Sequence, residues 1–422
     1  MMPNGWEEVK LDDLALYRRG SFPQPYGNPE WVDEVNGYPF IQVFDIDKNM
    51  KLKKATKTKI SDAAINKSVF IQAGTVIVSL QGSIGRVAIT QYDAYVDRTV
   101  LLFQSFKRKM DTIYFAYAIQ ELFEIEKEKA PGGTIKTITK QVLSNFTIKV
   151  PTHNEQHKIA KILSTWDKAI TITEKLIETS KQQKKALMQQ LLTGKKRLVN
   201  PETGKVFQGE WEEVKLIDTA SSERYSFTGG PFGSDLKSSD YTESGVRIIQ
   251  LQNIGEGCFH DSYKIFTSEE KADELYSCNI YPDDIIISKM GDPVARATLI
   301  PDYHCRYVMA SDGIRLAVNK RKFDNRFILE LINFDSFRNT ALSKSTGSTR
   351  KRIGLTDLKN IKMSVPELTE QQKIASVLTV ADKEIEVLEA KLAHFKQEKK
   401  ALMQQLLTGK RRVKVDEMEV TI

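Results

Sequence analysis

The chain has three cysteines in 422 residues, at Cys258, Cys278 and Cys305. An odd, widely spaced set builds neither a disulfide framework nor a zinc motif. Histidines number five, and His260 and His304, which lie near cysteines, do not follow metal-ligand spacing. No metal is expected. No apolar run reaches the roughly 18 residues of a membrane span, and no secretory signal pattern is present, so the expectation is a soluble, cytoplasmic protein. Pro-Pro occurs nowhere, which removes the Asn/Asp-Pro-Pro-Tyr/Phe motif of adenine methyltransferases. No Gly-x-Gly-x-x-Gly follows a strand, and the Gly-Lys pairs at 194, 204 and 409 continue with Lys, Val and Arg instead of the Ser or Thr of a phosphate loop. These absences argue against a self-contained nuclease or methyltransferase. No catalytic residue and no cofactor are assigned.

What the chain does have is a second copy of itself. Lys184 to Lys195 recurs residue for residue at Lys399 to Lys410, and Trp6-Glu7-Glu8-Val9-Lys10-Leu11 returns as Trp211-Glu212-Glu213-Val214-Lys215-Leu216. This is a tandem duplication, which suggests a pseudo-twofold object. The net charge is +7 and the basic residues come in bursts: five lysines between Lys51 and Lys59, then Lys107-Arg108-Lys109, Lys195-Lys196-Arg197, Arg350-Lys351-Arg352 and Lys410-Arg411-Arg412. Such clusters suit a polyanion, because each neutralised phosphate releases counterions.

Each copy closes on a long helix. After Pro151 and Pro366 come Asn154-Glu155-Gln156 and Thr369-Glu370-Gln371-Gln372, where Asn154 and Thr369 are expected to cap. No Gly or Pro follows until Gly194 and Gly409, which tolerate the left-handed turn at a helix end. A 4,3 alternation runs along both. The first seam reads Ile159, Leu163, Trp166, Ile170, Thr173, Ile177, Ser180, Lys184, Leu187, Leu191. The second, 215 residues on, reads Ile374, Leu378, Ala381, Ile385, Leu388, Leu392, Phe395, Lys399, Leu402, Leu406. A repeat of about 3.5 residues predicts a left-handed coiled coil, and equivalent seams on two homologous helices can pack antiparallel across a pseudo-twofold axis.

Before each helix lies a mixed α/β globule. Strand-like Phe40-Ile41-Gln42-Val43 matches Ile248-Ile249-Gln250-Leu251, and Thr75 to Ser79 matches Asp284 to Ser288. Gln81-Gly82-Ser83-Ile84-Gly85-Arg86 follows in one, and Met290-Gly291-Asp292-Pro293-Val294-Ala295-Arg296 in the other. Gly229-Gly230-Pro231-Phe232-Gly233-Ser234-Asp235-Leu236-Lys237 finds no close match near Gly20-Ser21-Phe22-Pro23. Similar helices with divergent globules imply one architecture and two specificities. The expected fold is therefore α+β, with two homologous mixed α/β domains separated by two long antiparallel helices. Domains are expected at 1–150, 151–204 (helix and linker), 205–365 and 366–422 (helix and tail).

These residues resemble the specificity subunits of Type I restriction–modification systems. The carriers are the Trp-Glu starts, the paired Glu-Gln-x-Lys-Ile-Ala helix openings, both Leu-Leu-Thr-Gly ends, Gly-Pro-Phe-Gly-Ser-Asp-Leu-Lys, and Gly347-Ser348-Thr349-Arg350-Lys351-Arg352-Ile353. The resemblance covers nearly the whole chain. It implies two target recognition domains, each reading half of a split, asymmetric site on double-stranded DNA, and helices that act as a ruler and dock two methyltransferase subunits. Restriction or translocase subunits complete such an assembly. Base reading needs side-chain donors and acceptors on loops. The candidates are Gln81, Ser83, Arg86 and Arg98 in the first globule and Lys289, Asp292 and Arg296 in the second. Arg350, Lys351 and Arg352 are candidate phosphate contacts, and of these three basic positions the first globule keeps one, Lys136, in Gly132-Gly133-Thr134-Ile135-Lys136. The alternative is a coiled-coil scaffold that bridges proteins without touching DNA.

Overall fold

The computed structural model describes residues 3–129, 140–348 and 350–415. It divides into two compact units, Met1–Lys175 with Glu389–Ile422, and Leu176–Leu388. Each unit holds one globule and a half of each long helix.

In the first unit the elements run β1 (Glu7–Lys10), α1 (Leu11–Leu14), β2 (Ala15–Arg19), β3 (Tyr38–Ile41), β4 (Thr58–Ile60), α2 (Asp62–Ile65), β5 (Val69–Ile71), β6 (Val76–Ser79), β7 (Val87–Ile89), β8 (Ala94–Val96), β9 (Val100–Phe106), α3 (Thr112–Lys129), α4 (Lys140–Ser144) and β10 (Thr147–Val150). The long helix α5 (His153–Leu191) then leads into the second unit. There follow β11 (Glu212–Lys215), β12 (Phe227–Gly229), β13 (Tyr241–Thr242), β14 (Val246–Ile249), β15 (Ile265–Thr267), α6 (Glu269–Glu274), β16 (Asn279–Ile280), β17 (Ile285–Ser288), β18 (Ala297–Leu299), β19 (Tyr307–Met309) and β20 (Gly313–Leu316). Helices α7 (Asn325–Asn333), α8 (Asp335–Ser343) and α9 (Leu355–Lys359), strand β21 (Lys362–Val365) and helix α10 (Leu368–Leu406) complete the chain.

The sheets repeat. β2-β9-β6-β7 in the first globule matches β12-β20-β17-β18 in the second, and β4-β3-β8-β5 matches β15-β14-β19-β16, to which β13 adds an edge. The central strands β6 and β17 are buried at every position. Continuous runs of β-branched residues suit strands covered on both faces. A two-stranded antiparallel ribbon, β1 with β10 and β11 with β21, brings the start of each globule to its end.

The two long helices are 39 residues each, about 60 Å at 1.5 Å per residue. All seam positions are buried or half-buried. In the first unit Ile159 and Leu163 share a core with Met403 and Leu406 and with the globule, and Trp166 meets Phe395 edge-on at 5.6 Å. In the second, Leu191 and Leu192 share a core with Ile374 and Leu378. Within each unit the segments run antiparallel, as the ion pairs demonstrate: Glu155 with Arg412 and Asp167 with Lys399 in one, Glu370 with Arg197 and Asp382 with Lys184 in the other. Each pair is repeated 215 residues on. The seam lysines are thus paired ions, which explains a charged residue in an otherwise apolar stripe.

The helix starts differ from the sequence expectation. α5 opens at His153, so Asn154 lies inside the first turn and Thr152 Oγ1 accepts from the Glu155 amide at 3.4 Å. α10 opens at Leu368, which places Thr369 inside it too. The reason is tertiary. Gln156 Nε2 donates to the Pro151 carbonyl while its Oε1 accepts from the Asp111 amide, and Gln371 does the same with Pro366 and Asp324. The Glu-Gln phrase therefore has two tasks: the glutamate binds the other helix's terminal arginine, and the glutamine fastens the helix to its globule. The helix ends meet expectation, with φ of +67° at Gly194 and +75° at Gly409. A Cβ on Gly194 would stand 3.4 Å from Trp211, and one on Gly409 3.3 Å from Trp6, so the Trp-Glu starts are the rings on which these turns rest.

One seam site is not duplicated. Tyr117 caps the Asp167–Lys399 pair, its hydroxyl donating to Asp167 and its ring facing Lys399 at 5.1 Å. Glu330 occupies the corresponding place and accepts from Lys184 at 3.4 Å. Burial raises the Glu330 carboxyl above the ordinary glutamate range, with Lys184 opposing and Asp382 adding to the rise.

Two outcomes are expected. Arg197→Met strands Glu370, which is fully buried, and should cost about 3–5 kcal/mol in urea unfolding; Arg412→Met, at a 44% exposed side chain, should cost clearly less. Because the folded state holds the Glu330 proton more tightly than the unfolded chain, stability is fullest below the ordinary glutamate pKa and falls as pH rises through the raised value. Glu330→Gln should flatten that fall in melting curves taken across pH.

Candidate nucleic-acid interface

In the second globule the candidate residues gather around one hairpin loop. The β17–β18 connection begins at Lys289, whose amide donates to the Asp312 carbonyl at 2.7 Å, and Ile353 donates back to the Lys289 carbonyl at 3.0 Å. The Gly291 amide donates to Lys351, and Met290 bridges to Arg352. Separate stretches of sequence, 289–296 and 350–353, therefore form one surface. Arg350, Lys351 and Asp292 are exposed on it. Arg352 is engaged with the Asp312 carboxylate, and Arg296 is folded over its own loop, its Nη2 3.5 Å from where a Cβ on Gly291 would lie. The Arg296 Nε is buried without a hydrogen-bond partner among the described residues.

The Gly229–Asp235 loop joins this surface. With Lys271, Glu274, Lys289, Asp312 and Arg352 it lines a cleft of about 1110 Å³, a mixture of donors and acceptors instead of a uniformly basic wall. The loop stem is fixed sterically: a Cβ on Gly230 would stand 1.9 Å from the Ala310 carbonyl oxygen.

The first globule uses the same frame. Ser79 and Ser288 donate through their amides to the carbonyls of Arg86 and Arg296, so those arginines share a register. Leu80 donates to Thr99 as Lys289 does to Asp312, so the two hairpins start from the same anchor. Gln81, Ser83, Arg86 and Arg98 are all exposed. Arg86 Nη1 donates to the Ile46 carbonyl at 3.3 Å, and the Arg98 guanidinium lies 5.0 Å from the Tyr26 ring centre. Burial and the Asp97 carboxylate push the Tyr26 hydroxyl up to about 12, so it stays a donor. Lys136 lies outside the described residues.

The frame also exposes positions that sequence reasoning missed. Gln42 and Gln250 open matching turns, their amides donating to Asp45 and Asn253 side chains. Phe44 in one globule and Gln252 in the other follow two residues later, both exposed. Lys53 and Lys57 place their ammonium groups 5.9 and 5.4 Å from the Phe44 ring, which brings the lysine burst to the candidate surface. The only sequence signal was the Phe40–Val43 match itself. Gly20 proves to be the equivalent of Gly230: each donates to the start of the last strand of its sheet, at Val100 and Gly313, and a Cβ on Gly20 would lie 2.1 Å from the Val96 carbonyl. Gly20-Ser21-Phe22-Pro23 therefore takes the place of Gly230-Pro231-Phe232-Gly233, with the glycine anchor shared and the residues after it unlike, the Ser21 amide donating to Val96 where Pro231 has no N–H. No group of three or more His, Cys, Asp or Glu side chains suited to a metal occurs among the described residues.

Gly230→Ala and Gly20→Ala are each expected to cost about 1–3 kcal/mol through forced backbone shifts. Gly233→Ala, whose Cβ meets nothing within 4 Å, should change thermal stability by less than about 0.5 kcal/mol.

The comparisons with known proteins agree with this duplicated frame. The family model described as "Type I restriction modification DNA specificity domain" matches twice, over residues 3–182 and 210–397. The MjaVIII specificity subunit of a Type I restriction enzyme from Methanocaldococcus jannaschii is 24% identical over 98% of this chain and 94% of its own. The EcoBI specificity subunit from Escherichia coli is 19% identical over 88% and 78%. Among solved structures, the Type I restriction–modification S subunit from M. genitalium shares the fold with a TM-score of 0.58 at 17% identity, covering 96% of this chain and 98% of that one. A chain from a type I R-M system, solved in work on complex assembly and conformational transition, gives 0.60 at 17% over 97% and 100%. With the family model matching both repeats, the chain belongs to the Type I restriction–modification DNA specificity family, as a specificity subunit.

Proposed function

We propose that each globule reads one half of a bipartite, asymmetric site on double-stranded DNA, while α5 and α10 set the spacing and dock two methyltransferase subunits. As a specificity subunit the chain is not itself the enzyme. The observation that carries the proposal is the pairing of one backbone frame with two unlike sets of loop side chains, all exposed but the half-buried Ser311. Phe44 stands where the second globule has Gln252, Arg98 where it has Ser311, Ser83 where the hairpin has Asp292. A conserved frame with variable loop chemistry is what two different half-site sequences require, because donor and acceptor patterns in the major groove differ from base pair to base pair. Arg350 and Lys351 serve as phosphate contacts that fix register, and Gln81, Lys289 and Gln252 reach for base edges.

Docking is supported by apolar side chains left in solvent on the helices. Ile172 is 58% exposed and Val387, 215 residues on, is 66% exposed. Methyl donor, ATP and metal chemistry belong to the docked subunits, which act on a base taken out of the stack. Restriction or translocase subunits join in the full complex.

Duplex binding by the chain assembled with its cognate methyltransferase subunits, measured across salt, tests this reading. Arg350→Ala with Lys351→Ala should lower the slope of log affinity against log salt by about 2, near 0.9 for each phosphate that is no longer neutralised. An assembled complex that binds no duplex at moderate salt would leave the bridging-scaffold reading in its place.

A further inference from the structure

Phe232 leaves 84% of its surface in solvent. Its loop holds it there. Gly230 is anchored to Gly313 at 2.8 Å, Pro231 restricts the next backbone angle, and the Asp235 amide closes a turn on the Phe232 carbonyl at 2.9 Å. The ring stands between two recesses. On one side is the cleft with Lys289 and Arg352. On the other is a pocket of about 230 Å³ lined by Tyr241, Gln250, Gln252 and Ser311 among others. An apolar side chain with hydrogen-bonding groups on both flanks suits a ligand that offers flat apolar faces in its interior and polar edges beside them. Stacked base pairs are such a ligand.

We propose that Phe232 is a wedge that enters between adjacent base pairs in the half-site read by the second globule, a deeper reading of the DNA-recognition function proposed above and dependent on it. Inserted apolar side chains unstack a base step and kink the duplex by about 20–90°. At the corresponding place in the first globule the ring is not free. Its equivalent, Phe22, is packed on Phe40 and on Tyr26, both at 4.9 Å between ring centres. The distortion is therefore confined to one half-site. Gln252 and Lys289, on either side of the ring, hold the base edges of the opened step. Both recesses mix polar and apolar lining in about equal parts, as the edges and faces of stacked base pairs do.

The test uses the full chain with its cognate methyltransferase subunits and a duplex carrying the site obtained by selection from random sequence. 2-Aminopurine is placed in turn at each adenine-compatible position of both half-sites, and its fluorescence reports unstacking. Wild type should give one bright step, in the second globule's half-site only. Phe232→Ala should abolish that step and weaken binding about tenfold, the scale of losing one aromatic–base stack, while Phe232→Trp retains both and assembly is unchanged. Tight binding with no bright step, bright steps in both half-sites, or a step that survives Phe232→Ala would each overturn the wedge alone. Loss of methyltransferase assembly in Phe232→Ala with unchanged duplex affinity would overturn it by assigning the ring to a protein contact. A wild-type complex that binds no duplex would instead overturn the DNA-reading function on which the wedge rests.

Discussion

Glu155 and Glu370 sit buried at the first turn of each long helix, and each is gripped by an arginine from just beyond the end of the other helix. The partners lie 257 and 173 residues apart in sequence. A carboxylate buried this deeply is unfavourable unless paired, so the contact acts as a register pin: any slip of one helix against the other strands two charges. Other features sit around that pin. The neighbouring glutamine ties each helix to its globule, the tryptophan of each repeat underlies the glycine turn at the helix end, and the seam lysines find their aspartates.

A frame fixed this firmly lets the loops vary. The hairpins after β6 and β17, the turns opened by Gln42 and Gln250, and the glycine loops at Gly20 and Gly230 keep their anchoring backbone hydrogen bonds in both globules. Their side chains do not match. Phe22 is packed and Phe232 projects; Phe44 carries two lysines and Gln252 faces a pocket. The shared sheet order thus carries unlike side chains at its exposed loops.

Sequence alone made the frame legible where the signal was local. The seam, the glycine helix ends and the central strands all follow from periodicity, left-handed turns and β-branched runs. It failed where a distant contact decided the outcome. Asn154 has the chemistry of a cap, yet Gln156 and Asp111 pull the helix start past it. Gly20 and Gly230 are equivalent because of carbonyls in β8 and just after β19, which no alignment of the adjoining residues reveals. Nor could the sequence show that Arg296 folds over its own loop and Arg352 meets Asp312, and Phe44 and Gln252 bore no motif.

The central claim is that the two globules read two separate DNA segments. Selection of the assembled complex on random-sequence duplex, followed by sequencing of the bound fraction, tests it most directly. The account predicts two short enriched blocks of different sequence at a fixed unread distance. Enrichment of a single contiguous block, or of none by a complex that assembles normally, would contradict it.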